Sequence, residues 1–162
     1  TIVCPLVIGN QLVTSDYQKG VTAWRIDSNG ESWTVEELWH SPTVSLSISS
    51  PVVIGDQIVG FSHFRKGQLF GLDPTDGRVL WRGDPRWGAY VNVSLIRWGD
   101  ELLALRGDGL LVVGEVSRDS FRPTHTYRLG RRMTWAHPAI VDDRIVIRDG
   151  DRLAVYRLRA AE

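Results

Sequence analysis

The side chains best suited to recognition lie in short polar connections between apolar runs. His63 and Arg65 fall in one connection, Arg82, Arg86, Trp87, Tyr90 and Asn92 in or beside the next, and Arg131, Arg132 and Trp135 in a third. Guanidinium groups and exposed aromatic rings are the groups that anchor interfaces, because they combine large contact area with directional polar atoms. Signals for catalysis are thinner. The histidines, His40, His63, His125 and His137, show neither HxH nor HExxH spacing, so zinc is not indicated. His137 precedes Pro138 at the start of an apolar run and reads as a hydrogen-bonded structural residue, with a channel-lining role as the sharper alternative. Cys4 is the only cysteine, which excludes an intrachain disulfide and a cysteine metal cluster; its apolar surroundings in sequence predict a buried structural thiol. No GxSxG, Walker A or GxGxxG pattern occurs, and Gly107-Asp108-Gly109 reads as a hairpin turn rather than a phosphate cradle.

The elements that must position these residues are clearest between Pro51 and Trp81. PVVI, QIVGFS, QLFGLD and RVLW are short runs rich in Val, Ile, Leu and aromatics, separated by Gly55-Asp56, a polar turn ending at Gly67, and Asp73-Pro74-Thr75-Asp76-Gly77. Runs of this length between Gly, Asp and Pro predict an antiparallel four-stranded meander. The same register recurs at Pro5, Ser94 and Pro138, with Gly9, Gly55, Gly99 and Asp142 marking the first turn at a spacing of about 45 residues. A four-strand repeat of that length is a propeller blade, not a helical solenoid. The units run over residues 1–43, 44–89, 90–133 and 134–162, the last incomplete, and form a single domain. The fold expected is all-β: a partial propeller of about four four-stranded antiparallel blades, half of a seven- or eight-bladed ring. In the third unit Tyr127 is expected to fill the slot of Trp39 and Trp81.

Three units and part of a fourth leave open blade edges, which predicts either further blades in a longer parent chain or a second copy that completes the ring. The start at TIVCPLVIG, inside a strand pattern, suggests that sequence upstream is missing. With 43% hydrophobic and 23% charged residues the chain can build a packed core, and its formal net charge of +0 gives no support for nucleic-acid binding. No apolar run approaches the ~18 residues of a membrane-spanning helix.

In an up-and-down meander the loops sort onto two faces. One collects the connections that hold Lys19, His63, Arg65, Lys66, Arg82, Arg86, Trp87, Tyr90, Arg106, Arg131, Arg132 and Trp135, and is basic and aromatic. The other collects Asp27, Asp56, Asp76, Asp100, Asp142 and Asp143. The first is the expected binding face for a protein, peptide or small ligand; the plainer alternative is that it is a set of solvated turns. Trp87 divides the same way, into a contact residue or a ring packed over the blade.

GQLFGLDPTDGRVLW, through Leu72, Asp73, Asp76, Gly77, Arg78, Leu80 and Trp81, resembles the repeat of the pyrroloquinoline-quinone-type β-propellers, and Asp27, Gly30 and Trp39 are similar in the first unit. The resemblance implies that the tryptophans pack on the neighbouring blade and give an N–H to a backbone carbonyl, and that Asp73 caps its turn. It implies a periplasmic or otherwise exported location. The family includes quinone-dependent dehydrogenases and non-catalytic relatives such as the outer-membrane assembly lipoprotein, so the fold does not fix the function. No paired cysteines exist here, and only Asn92 and Asp84 offer themselves as Ca²⁺ ligands, without a distinguishing spacing. The leading expectation is therefore a non-catalytic binding or assembly module with no cofactor. A fragment of a quinone-dependent alcohol or sugar dehydrogenase, using pyrroloquinoline quinone and calcium, is the alternative, and a purely structural spacer the third.

Overall fold

In a computed structural model that describes residues 3–84, 87 and 92–158, fifteen strands build four separate antiparallel sheets. The first sheet comprises β1 (Leu6–Ile8), β2 (Gln11–Asp16), β3 (Gly20–Ser28) and β4 (Trp33–Ser41). The second comprises β5 (Val52–Ile54), β6 (Gln57–Ser62), β7 (Gln68–Leu72) and β8 (Val79–Arg82). The third comprises β9 (Val93–Trp98), β10 (Glu101–Arg106), β11 (Leu110–Val116) and β12 (Phe121–Arg128). The fourth has β13 (Ala139–Val141), β14 (Arg144–Asp149) and β15 (Arg152–Arg157). Each sheet follows sequence order, so each is the predicted meander.

The sheets stack face on face, and one apolar cluster fills each junction. Val13, Val21 and Ala23 meet Ile58, Phe70 and Leu72 between the first two sheets. Ile54, Val59, Phe61 and Leu69 meet Leu102 and Ala104 at the next junction, and Leu103, Leu105 and Leu111 meet Ile145 and Ile147 at the last. Both faces of the middle sheets are thus covered, which is why all of β6 and β7 is buried. The first strands of the second and third sheets approach each other: β5 touches β9, and the Val93 N–H donates to Ser49 Oγ at 3.3 Å.

The first turn of each sheet needs a left-handed residue. Gly9, Gly55 and Gly99 have φ near +60°, and Asp142 takes their place at φ +52°, as the repeat predicts. The ladder pairing also corrects one sequence expectation. Trp39 lies opposite Ala23 and Trp81 opposite Gly71, each beside a bulge in the fourth strand. The matching residue beside the bulge of the third sheet is His125, opposite Val113, whereas Tyr127 sits further along opposite Leu111 and is exposed. Reading the slot by side-chain size misplaced it by two residues. Cys4 is a second correction. It precedes β1 and is exposed, because the strand begins only at Leu6.

Candidate functional site

In the second, third and fourth sheets the last residue of the second strand contacts the linker that enters the sheet. Ser62 closes β6, and its Oγ accepts the Ser45 N–H at 3.2 Å. Arg106 closes β10, and its guanidinium lies 5.8 Å from the ring centre of Trp87 in the next linker. Asp149 closes β14, and its Oδ1 accepts the N–H groups of Arg131 and Arg132 at 3.0 and 2.8 Å. These hydrogen bonds hold the Asp149 carboxyl below the usual carboxylate range, the Arg132 N–H first and the Arg131 N–H next, with the Arg132 and Arg152 charges adding to them. Sequence inspection missed this role because the gripping residue changes type from sheet to sheet while its position stays fixed.

Two clusters result on the loop face. In one, Trp87 stacks on Phe61 with ring centres 5.9 Å apart, His63 meets the other edge of Phe61 at 5.3 Å, and the Trp87 N–H donates to the Gly67 carbonyl at 2.8 Å. Trp87 is half-buried against the apolar junction between the second and third sheets, so the packing alternative describes its geometry. Arg82 reaches back over the preceding linker to Thr43 Oγ1 at 2.7 Å. The backbone of Arg65 lies in a short 3₁₀ turn, Phe64–Lys66; its side chain, and Arg86 and Tyr90 altogether, lie outside the described residues.

The other cluster is open. Met133 and Trp135 are 74% and 63% exposed and line a groove of about 490 Å³ with Thr134, Arg148, Gly150 and Asp151. Arg132 Nη1 pairs with Asp151 Oδ1 at 2.7 Å on its rim, and Arg131 is exposed beside it. Asn92 supports this region from below. It is buried, its carbonyl accepts the Gly107 N–H at 2.6 Å, and the Gly107 carbonyl accepts the Thr134 N–H at 2.8 Å. Its Nδ2 reaches the Trp135 carbonyl at 3.5 Å, and its Oδ1 has no hydrogen-bond partner.

The loops sort onto two faces as the meander predicts, but the aspartate face is electrically paired. Arg118 contacts Asp56 at 2.8 Å and Asp73 at 3.9 Å, Arg25 contacts Asp27, and Arg157 contacts Asp143 at 3.0 Å. Arginines from strands and neighbouring turns arrive there, which loop sorting alone did not count. Among the loops on the other side, Lys19 pairs with Asp16 and Arg106 with Asp108. Arg132 is likewise paired, with Asp151, while Arg131 is exposed beside it.

The repeat motif performs the expected packing. Asp73 Oδ1 accepts the N–H and hydroxyl of Thr75 at 2.9 and 2.6 Å, and Asp76 Oδ1 accepts the Arg78 N–H. Trp39 lies against Gly77, whose φ is +72° and where an added Cβ would stand 2.3 Å from the indole. Trp81 differs from expectation. Its indole N–H goes to Gln57 Oε1 at 2.6 Å, and Gln57 Nε2 carries the connection to the Ser117 carbonyl at 2.7 Å.

Asn92 is buried and Asp84 exposed, and among the described residues no group of three or more His, Cys, Asp or Glu side chains is placed to share a metal. His137 is exposed, with Nδ1 2.9 Å from the Pro138 carbonyl oxygen.

Stacked four-stranded meanders with an indole at the rim of the blades define a β-propeller module built from quinoprotein-like repeats. The chain belongs to the family described as outer membrane protein assembly factor BamB, which it matches over residues 2–162. No curated protein matches it. Among solved structures it is similar to BamB from Moraxella catarrhalis, with 18% identity and a TM-score of 0.67 over 97% of this chain and 46% of that one. It is also similar to the computationally designed Ika4 protein, at 11% identity and TM-score 0.67, covering 98% of this chain and 91% of that one. The designed Ika8 protein follows, at 13% identity and TM-score 0.54, covering 95% and 57%. The chain thus spans about half the length of the BamB it resembles. At these identities the structural likenesses establish the fold.

Proposed function

We propose that this chain is a non-catalytic binding and assembly module of the BamB family, which works in the periplasm and engages a protein partner through the loop face around Trp135, Arg131 and Arg132. The single observation that carries this reading is the exposed pair Met133 and Trp135 on a linker whose Arg131 and Arg132 N–H groups are hydrogen-bonded to Asp149. An exposed indole next to arginines on a fixed backbone loses little entropy on binding and offers both apolar area and charge. The partner is a component of outer-membrane protein assembly, as the family description names that process.

Binding of the purified periplasmic region of an outer-membrane assembly protein, measured by biolayer interferometry, tests this. Trp135→Ala and Arg131→Glu are expected to weaken capture about tenfold or more with an unchanged melting temperature. Equal binding by both variants overturns the assignment of the face. Dye-linked oxidation of an alcohol or aldose after addition of pyrroloquinoline quinone and Ca²⁺ overturns the non-catalytic reading in favour of the dehydrogenase alternative.

A further inference from the structure

Asn29 is the only asparagine followed by glycine; Asn10 precedes Gln11 and Asn92 precedes Val93. An asparagine amide is open to attack by the backbone nitrogen of the next residue, and a glycine, having no Cβ, leaves that nitrogen unshielded. The turn between β3 and β4 surrounds this amide with donors. Asn29 Oδ1 accepts the Glu31 N–H at 3.0 Å, the Ser32 N–H at 2.8 Å and the Ser32 hydroxyl at 3.2 Å. The Asn29 N–H closes the turn on the Ser32 carbonyl at 3.3 Å. The Gly30 N–H donates to Ser28 Oγ at 3.1 Å, and Gly30 holds φ +90° with nothing within 4 Å of where a Cβ would stand.

Donors gathered on one carbonyl oxygen act in two ways. They draw electron density from Cγ, and they already stand where negative charge builds on Oδ1 when a nucleophile adds, which is how an oxyanion hole works. The nucleophile is the neighbouring backbone nitrogen, so the reaction is intramolecular and needs no bound partner.

We propose that Asn29-Gly30 is a self-modification site, at which the turn promotes conversion of Asn29 to aspartate and isoaspartate. Gly30 N bonds to Asn29 Cγ and gives up its proton, through the Ser28 hydroxyl, to hydroxide. The Cγ–Nδ2 bond breaks, and the nitrogen takes a proton from water and leaves as ammonia, which returns the hydroxide. A second water opens the cyclic imide at either carbonyl. The net change is water taken up, ammonia released and a carboxylate gained. The aspartate product fits the turn, because in the second sheet Asp73 Oδ1 accepts the N–H and hydroxyl of Thr75 in the same manner. The isoaspartate product does not. Its extra backbone methylene carries the acceptor away from Glu31 and Ser32 and loosens the Ser28–Trp33 end of the hairpin. The reacting atoms all lie in this turn, so the reaction depends neither on the loop-face reading nor on what covers the outer faces of the stack.

Incubation of the whole chain at mildly alkaline pH, both native and unfolded in guanidinium chloride, tests it. Lys19 and Lys66 are the only lysines, so cleavage after lysine puts Asn10, Asn29 and Asn92 on separate fragments. Enzymatic methylation of isoaspartate, read by mass spectrometry of each fragment, is expected to mark the 20–66 fragment first, and about tenfold faster in the native chain than in the unfolded one. Ser32→Ala removes one donor from Oδ1 and is expected to slow the native reaction about threefold, a smaller loss than at an enclosed oxyanion site because water reaches this turn. Gly30→Ala shields the nitrogen and is expected to slow the reaction about tenfold or more in both states. Native conversion no faster than unfolded overturns the proposal, since the same hydrogen bonds would then be holding the amide out of reach. First conversion at Asn10 or Asn92 overturns it as well, and so does a native rate that Ser32→Ala leaves unchanged.

Discussion

The Trp39 indole N–H donates to the Pro74 carbonyl across the junction of the first two sheets at 2.9 Å, and the same ring closes over Gly77. One side chain therefore ties the outer strand of one sheet to the last turn of the next. At the following junction Trp81 makes the tie through Gln57 to the Ser117 carbonyl. The difference sets an order of stability. Trp81→Phe leaves the buried Gln57 Oε1 without its donor, a loss of about 1–3 kcal/mol beyond the packing change. Trp39→Phe leaves a backbone carbonyl in an exposed turn that water can reach, at a cost of about 0.5–1.5 kcal/mol. Urea unfolding is expected to rank Trp81→Phe as the more destabilised, and equal midpoints would refute the relay.

Gly77→Ala drives a methyl group into the Trp39 ring and asks alanine to hold φ +72°. Both effects act on the same turn, so the expected loss exceeds the ~1 kcal/mol of a left-handed alanine alone. Tryptophan fluorescence should move to the red as Trp39 is displaced; an unmoved spectrum with unchanged stability would show that the contact has room to give.

The four-sheet architecture, the strand order and the first-turn positions were legible in the sequence, because alternation and Gly/Asp punctuation are local signals. The assignment of Trp39 and Trp81 was legible for the same reason. The third slot was not, since a bulge between Val113 and Gly114 shifts the register without any mark in composition, and a histidine replaces the indole. Of the groove beside Trp135, the sequence reading named Trp135, Arg131 and Arg132, but not Met133, Arg148 and Asp151, which line it as well. They come together only because Asp149 folds the 130–132 linker back over the β14–β15 turn, a contact across about 18 residues of sequence that no periodicity announces.

Asp142 is the one first-turn residue that is not glycine, and it holds φ +52°. At the equivalent Gly9, Gly55 and Gly99 nothing lies within 4 Å of where a Cβ would stand, so the turn constrains the backbone and not the space. Asp142→Gly should relieve the conformational cost and raise the melting temperature slightly. Gly55→Ala should lower it by the equivalent of about 1 kcal/mol. Opposite signs for these two variants are the expected thermal-melt outcome; a fall in both would place the weight on an Asp142 side-chain contact instead.

Trp87 lies between the Phe61 ring and the Arg106 guanidinium. Trp87→Ala removes a half-buried ring from the junction of the second and third sheets, and the expected cost is about 1–3 kcal/mol, less than for a wholly buried tryptophan. The companion Arg106→Leu keeps bulk over the indole but loses the cation, and is expected to cost under about 1 kcal/mol. If Trp87→Ala melts like the unaltered protein while partner capture falls, the ring belongs to the contact surface after all.

Acid sensitivity should be traceable to Asp73. The Thr75 hydroxyl hydrogen bond, then the Thr75 N–H, and then the charges of Arg78 and Arg118 hold its carboxyl below the usual range. A carboxyl whose folded pKa is lowered adds stability that is fully present above its unfolded value, about 3.9, and is lost as pH falls through the lower folded value. Asp73→Asn keeps an acceptor for Thr75 but cannot titrate. Its stability should therefore lie below that of the unaltered protein at neutral pH, with the two curves converging as the pH is taken below 4. Parallel curves down to pH 2 would show that Asp73 does not titrate differently in the folded and unfolded chains. In that case the turn would be held by Asp76 and the backbone bonds from Asp73 to Arg78 and from Gly77 to Asp73.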